Sequence, residues 1–290
     1  MSITAPAPPV TVALLQMTSG IDSAANAAVM VAGVAAAAAG GAAMVFTPEM
    51  SGLLDRDRKR AAAHILPEAD SPVLSAVREA AAHAGIWVHI GSMAVQIESD
   101  AGADLWANRA FVIDPAGQVA ARYDKIHMFD VNLASGEVWR ESAAYQPGAE
   151  VVTVQCPVGK LGLTICYDIR FPALFEELGR QGCDAIAIPA AFTVPTGRAH
   201  WHLLQRARAV EASAFVISAA QAGRHGDGRE TFGHSLAIDP WGDVLLDLGE
   251  GDGTGAQLGF AVIDPARLSD VRGQLPSLAN RRIIPKSLPI

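Results

Sequence analysis

The chain is expected to fold as an α/β protein with helices covering its sheets, and three features of the sequence predict this. Short β-rich runs alternate with helical patterns along most of the 290 residues. The words Asp-Pro-x-Gly stand twice between β-rich runs, in VIDPAGQV at 112–119 and AIDPWGDV at 237–244, which is hairpin chemistry. A hairpin in each half suggests two similar halves, hence two sheets packed as a sandwich. Finally, 50% of the residues are hydrophobic, enough to bury a large core. No linker rich in Gly, Pro or Ser divides the chain, so residues 1–290 read as a single domain, with the Pro-rich stretch 1–9 as a flexible tail.

The elements follow in order. VTVALLQM (10–17) reads as a strand, 22–39 as a helix ending at Gly40-Gly41, and AMVF (43–46) as the next strand. The uncharged run from Ala24 to Phe46 is long enough to cross a bilayer. It is mostly Ala and Gly, though, whose transfer out of water yields little, and it lacks a basic flank, so a buried Ala-rich helix is the better reading. DRDRKR at 55–60 reads as a solvated surface stretch. A helix over 72–84 precedes strands IWVHIGS (86–92), RAFVID (109–114) and QVAARY (118–123). In the second half, LGLTIC (161–166), AIAIP (185–189) and AFVISAA (214–220) are strands separated by helices at 172–181 and 199–212. HSLAID (234–239), DVLLDL (243–248) and GFAVID (259–264) complete the set.

Composition excludes several functions. A net charge of −8 disfavours nucleic acid and anionic membranes as partners. No positive n-region precedes an apolar stretch, so no signal peptide is read. Three cysteines without CxxC spacing make neither a disulfide framework nor a zinc site, which implies a reducing, cytoplasmic setting. GEGDGTGAQLG at 249–259 lacks the GK[ST] ending of a phosphate cradle and reads as a loop. His200 and His202 lie two apart on a helix, facing different directions, so they are a poor metal pair. HExxH, GxSxG and GxGxxG are all missing. No metal and no organic cofactor is expected.

What remains is a cysteine in an unusual place. In LTICYDIRFP, Cys166 falls on the bend between a buried strand and a helix led in by Phe171-Pro172. Free cysteine is usually a small buried hydrophobe, and that bland reading suits Cys156 before Pro157 and Cys183 between Gly182 and Asp184. Cys166 differs because ligands gather at strand ends in α/β sheets and a following helix aims N–H groups at a thiolate. Three more polar residues follow apolar runs or sit in polar loops: Glu49 in VFTPEM, Lys125 in RYDKIHMFD and Glu141 in WRESAAYQPG. Taken singly, each reads as an ordinary solvated or ion-paired residue.

Together these motifs resemble the nitrilase superfamily of carbon-nitrogen hydrolases. The resemblance runs from ALLQM through FTPEM, YDKIHMFD and ICYDIRFP to GRAHWHLLQRARAVE and GHSLAIDPWGDVL, nearly the whole chain. It implies a four-layer αββα sandwich, commonly dimerised through its helices, and a catalytic triad of Glu49, Lys125 and Cys166, with Glu141 positioning the substrate or Lys125. A thiol of ordinary pKa is mostly protonated at neutral pH, so attack on an amide needs a base or a cation beside it. On this reading Glu49 takes the proton of Cys166, and Lys125 with the backbone N–H of Tyr167 stabilises the oxyanion. A low-pKa Cys166 should then alkylate faster than Cys156 or Cys183.

Within the superfamily, KIHMFDVNL, RESAAYQPG and AAQAGRHGDGRETFGHS are similar to the branch of ω-amidases and deaminated glutathione amidases. Such substrates are anionic, so Arg170 is expected to anchor a carboxylate, with Phe192, Thr193 and Thr196 lining the same mouth. The expected function is hydrolysis of a small carboxylate-bearing amide, deaminated glutathione first, α-ketoglutaramate or a nitrile as alternatives. An idle interaction protein and a cysteine peroxidase are the readings of other classes. The intact Glu, Lys, Glu and Cys set argues against the first, and the want of a resolving cysteine against the second.

Overall fold

The computed structural model describes residues 7–97, 105–132, 136, 138–251 and 255–283. Residues 1–6 of the expected tail and residues 252–254 of the Gly-rich loop lie outside the described residues.

The chain opens with β1 (Val10–Met17), α1 (Ser23–Ala39) and β2 (Met44–Phe46). A short α2 (Arg58–Ala62) and α3 (Pro72–Ala84) lead into β3 (Trp87–Ile97), β4 (Leu105–Ile113) and β5 (Val119–Asp124). A small ribbon, β6 (Asp130–Asn132) and β7 (Val138–Arg140), precedes β8 (Thr153–Cys156) and β9 (Gly159–Leu163). Then come α4 (Pro172–Arg180), β10 (Ala185–Ala187), α5 (Val194–Ala212) and β11 (Phe215–Ser218). The second ribbon pairs β12 (Ala222–Arg224) with β13 (Glu230–Phe232). The chain closes with β14 (Leu236–Ile238), β15 (Val244–Asp247), β16 (Ala256–Ile263) and α6 (Pro265–Gln274).

Two six-stranded sheets result, ordered β16-β1-β2-β3-β4-β5 and β15-β14-β11-β10-β9-β8. Each has three central parallel strands and antiparallel edges. The two Asp-Pro-x-Gly words are the β4–β5 and β14–β15 turns, one per sheet. Asp114 and Asp239 accept backbone N–H groups within their own turns, and Gly117 and Gly242 take φ of 74° and 92°.

Period-two alternation sorts each strand between layers. On β1 and β2, Val12, Leu14, Met44 and Phe46 face the opposite sheet, in a core shared with Leu161, Leu163 and Ile186. Their neighbours Ala13, Leu15 and Val45 face outward onto Met30 and Val34 of α1 and Val77 of α3. Leu174, Phe175 and Trp201 bring α4 and α5 onto the second sheet. The order of layers is therefore helix, sheet, sheet, helix, the αββα sandwich expected.

The Ala-rich run is α1, capped by Asp22, whose carboxylate accepts the N–H of Ala24 and Ala25. Its small residues allow close packing: a Cβ on Gly33 would stand 2.5 Å from Leu15. Among the described residues no helix is long and apolar enough to cross a membrane.

Several boundaries differ from those expected. β3 and β4 are longer, joined across a bulge between Ile90 and Met93, and α5 begins at Val194 because Pro195 suits a first helical turn. The strand expected over 161–166 ends at Leu163, and Cys156 closes β8 instead of lying in a loop.

Candidate active site

Glu49 lies three residues past β2, Lys125 directly follows β5, and Cys166 stands three residues past β9. Three separate strand ends thus deliver the three side chains to one place, where α/β proteins bind ligands. The sheets approach closely here. A Cβ on Gly91 would meet the Thr47 carbonyl oxygen at 2.0 Å and Pro189 at 2.5 Å, so only glycine lets β3 pass beneath both loops.

Lys125 is 2% exposed and Glu49 5% exposed, so their charges must be matched inside the protein. Lys125 Nζ donates to Glu49 Oε1 at 2.9 Å and to Glu141 Oε2 and Oε1 at 2.9 and 3.1 Å. Asn108 Nδ2 bridges the same carboxylates, at 3.0 Å from Glu49 Oε1 and 3.1 Å from Glu141 Oε1. Backbone N–H groups complete the set, Ala191 to Glu49 Oε2 at 3.0 Å and Phe129 to Glu141 Oε2 at 2.7 Å. The Glu49 carbonyl is itself held by Gln221 Nε2 at 2.9 Å. Burial works against the Lys125 ammonium, but Glu141, Glu49 and Cys166 outweigh it and hold its pKa well above the ordinary lysine value.

Cys166 sits on the bend expected, in a short 3₁₀ turn over Cys166–Arg170. Its φ of 48° is left-handed, a conformation that costs a non-glycine residue about 1–3 kcal/mol. The neighbours enforce it. Cys166 N–H donates to the Pro189 carbonyl at 2.8 Å, and buried Asp168 accepts the Ile165 N–H at 2.9 Å, the Tyr123 hydroxyl at 2.7 Å and the His127 N–H at 3.0 Å. Asp168 therefore braces the Cys166 turn against β5, the strand that leads into Lys125.

The charge state of the thiol departs from expectation. Burial first, then the Glu49 carboxylate, raise the Cys166 pKa well above the usual thiol value, and Lys125 only partly offsets them. Burial also raises Cys156 to about 11 and Cys183 to about 12, so fast alkylation at neutral pH is not the mark that separates Cys166.

Above this floor opens a cavity of about 260 Å³. Glu49, Lys125, Glu141, Cys166 and Tyr167 line it, as do the expected substrate residues Arg170, Phe192, Thr193 and Thr196. Thr193 and Thr196 hydroxyls bond each other at 2.8 Å at the start of α5. The Arg170 guanidinium lies 5.5 Å from the Phe192 ring and 6.0 Å from that of Tyr167. It makes no ion pair among the described residues, its nearest polar partner being His200 Nδ1 at 3.4 Å. His202 points elsewhere, sharing Asp247 with His234 at 2.9 and 2.8 Å.

Sequence reasoning missed two features of this site. Asn108 lies mid-strand with no motif around it. DRDRKR is not merely a solvated run, for Asp55, Arg56 and Arg58 line the cavity.

An αββα sandwich that gathers a thiol, a lysine and two glutamates at its strand ends defines a class of amide-cleaving hydrolases. The chain belongs to the carbon-nitrogen hydrolase family, whose model matches residues 11–272, and it is an amidase of that nitrilase superfamily. A deaminated glutathione amidase of Yersinia enterocolitica is 40% identical over 281 residues, 96% of this chain and 95% of that one. The structure of the Caenorhabditis elegans NitFhit protein superposes with a TM-score of 0.86 at 33% identity, covering 96% of this chain and 66% of that fusion. That of Saccharomyces cerevisiae Nit3, a member of branch 10 of the nitrilase superfamily, gives 0.83 at 26% identity, covering 98% and 100%.

Proposed function

We propose that this amidase cleaves a small carboxylate-bearing amide through a thioester on Cys166, and that its substrate is deaminated glutathione. The observation that carries this reading is the Lys125 ammonium locked between Glu49 and Glu141 beneath a cavity that Cys166 also lines. The relatives' name and the guanidinium of Arg170, which makes no ion pair among the described residues, support the choice of an anionic substrate.

The steps balance without a cofactor. Cys166 Sγ attacks the amide carbonyl carbon as its proton passes to Glu49. Negative charge collects on the carbonyl oxygen, where Lys125 Nζ and the Tyr167 N–H receive it, each such donor being worth roughly 3–4 kcal/mol. The C–N bond breaks as Glu49 returns the proton to the departing amine, leaving a thioester. Water, deprotonated by Glu49, then releases the acid and restores the thiol. Glu141 and Asn108 position Lys125 throughout.

Residues 1–290 act as one catalytic domain on this reading. A reducing cytoplasm suits an enzyme whose nucleophile is a free thiol. Assembly as a homodimer fits the exposed Leu203 and Val210 on α5 and Trp241 and Leu245 at the β14–β15 hairpin, which light scattering can test. The decisive assay measures Cys-Gly release from deaminated glutathione against ammonia release from α-ketoglutaramate and from simple nitriles. Preference for the peptide amide is expected, and activity confined to nitriles overturns the reading.

A further inference from the structure

The cavity has two basic ends, and Arg170 accounts for only one. At the other, the Arg56 guanidinium lies 5.7 Å from the Trp139 ring, and Arg58 donates to the Arg140 carbonyl. Both are exposed, both line the cavity, and neither guanidinium is ion-paired among the described residues, although Asp227 accepts the Arg56 backbone N–H at 2.8 Å. The acids nearby are mostly spoken for. Asp55 is paired with Arg60 at 2.6 Å and Asp227 with Arg229 at 2.7 Å, which leaves exposed Glu230 as the one other acid of the rim. In a protein of net charge −8, unpaired guanidinium groups at one mouth make a local anion trap.

An aromatic strip joins the two ends. Tyr167, beneath Arg170, meets Phe129 at 5.1 Å between ring centroids, and Phe129 meets Trp139, beneath Arg56, at 6.2 Å. The Trp139 indole N–H is buried without a hydrogen-bond partner among the described residues. Cys166 stands beside Tyr167, so an amide poised over Sγ can reach one basic end with its acyl half and the other with its amine half.

We propose that Arg56 and Arg58, seated beside Trp139, form a second anion subsite that takes a carboxylate carried by the departing amine. This rests on the amidase reading above and deepens it: the enzyme selects amides with a carboxylate on each side of the scissile bond, and the segment that leads into and opens α2 sets that selectivity. Arg170 reads the acyl half, Arg56 and Arg58 the amine half.

The test compares kcat/KM for deaminated glutathione with that for its C-terminal carboxamide, identical except for the distal charge, in the full chain and in Arg56→Gln, Arg58→Gln and the double variant. We expect the native enzyme to favour the free carboxylate by about tenfold or more, the scale of one charge-assisted contact. The double variant should bring that ratio close to one, mainly through KM, while Arg170→Gln lowers both substrates together and leaves the ratio standing. A native ratio near one, or a ratio that survives in the double variant, overturns the subsite. Turnover of α-ketoglutaramate with neither peptide substrate cleaved overturns the subsite and leaves the amidase mechanism intact; no turnover of any of the three overturns both.

Discussion

Two sites in this molecule bury ionisable side chains between the sheets, and they resolve the problem in opposite ways. At the strand ends, the Lys125 ammonium is held charged by the Glu49 and Glu141 carboxylates at 2.9 Å, and Asn108 Nδ2 bridges those two carboxylates. On β3, His89 is 1% exposed, packs against the Phe46 ring at 5.4 Å, and meets no protein partner at either ring nitrogen. Burial pushes its pKa down to about 3, so it stays neutral. Depth alone does not decide charge; partners do. The thiol of Cys166 shows the intermediate case, near both a carboxylate and an ammonium, with burial and the carboxylate prevailing.

The sharpest way to break the comparison is to remove the proposed nucleophile while leaving the charges. Cys166→Ala is expected to lose turnover by at least about 10⁴-fold, the scale seen when one member of a catalytic unit is deleted. The protein should stay folded, since the Lys125 network does not depend on sulfur, and circular dichroism with a steady-state assay checks both halves. Residual activity near the native rate removes Cys166 from the mechanism.

Removing the cation probes the network itself. Lys125→Ala should lower kcat by about 10²–10³-fold with a smaller change in KM, because an oxyanion donor acts in the transition state. It also strips the buried Glu49 carboxylate and the partly buried Glu141 carboxylate of their shared cation, so unfolding free energy should fall by about 3–5 kcal/mol. Denaturant titration beside kinetics separates the effects, and unchanged kcat excludes Lys125 from the oxyanion role. Asn108→Ala should follow with a smaller loss, about 1–3 kcal/mol in stability, since it removes a neutral donor shared by the same carboxylates.

The unequal visibility of these parts in the sequence has a physical origin. The hairpins were legible because Asp-Pro-x-Gly turns are local chemistry. Glu49 and Lys125 are 76 positions apart, a separation no local pattern reports, and only the agreement of several motifs with a family joined them. Asn108 escaped because it lies just before the strand expected over 109–114, and only the extension of β4 back to Leu105 puts it mid-strand beneath the second sheet. Arg56 and Arg58 escaped for a different reason, since a run of charges gives no direction, and the fold turned two of its members toward the cavity. The strand ribbons β6–β7 and β12–β13 are three residues per strand, too short for any period to emerge.

His89 offers the gentlest and most specific test, through pH. Its folded pKa of about 3 lies below the ordinary 6.5, so the unfolded chain binds a proton that the folded chain refuses. The contribution is therefore fully present above pH 6.5 and is lost as pH falls toward 3, at up to about 1.4 kcal/mol per pH unit. His89→Leu removes the titrating group and the unpartnered ring nitrogens together. Its unfolding free energy at pH 7.5 should equal or exceed the native value by about 1 kcal/mol, since an apolar replacement relieves an unmet polar burden. Between pH 6 and 4 the gap should widen in the variant's favour, which urea melts at half-unit intervals can follow. If both proteins lose stability in parallel over that window, the acid sensitivity belongs to other groups, and His89 is not the uncompensated counterpart of the paired charges around Lys125.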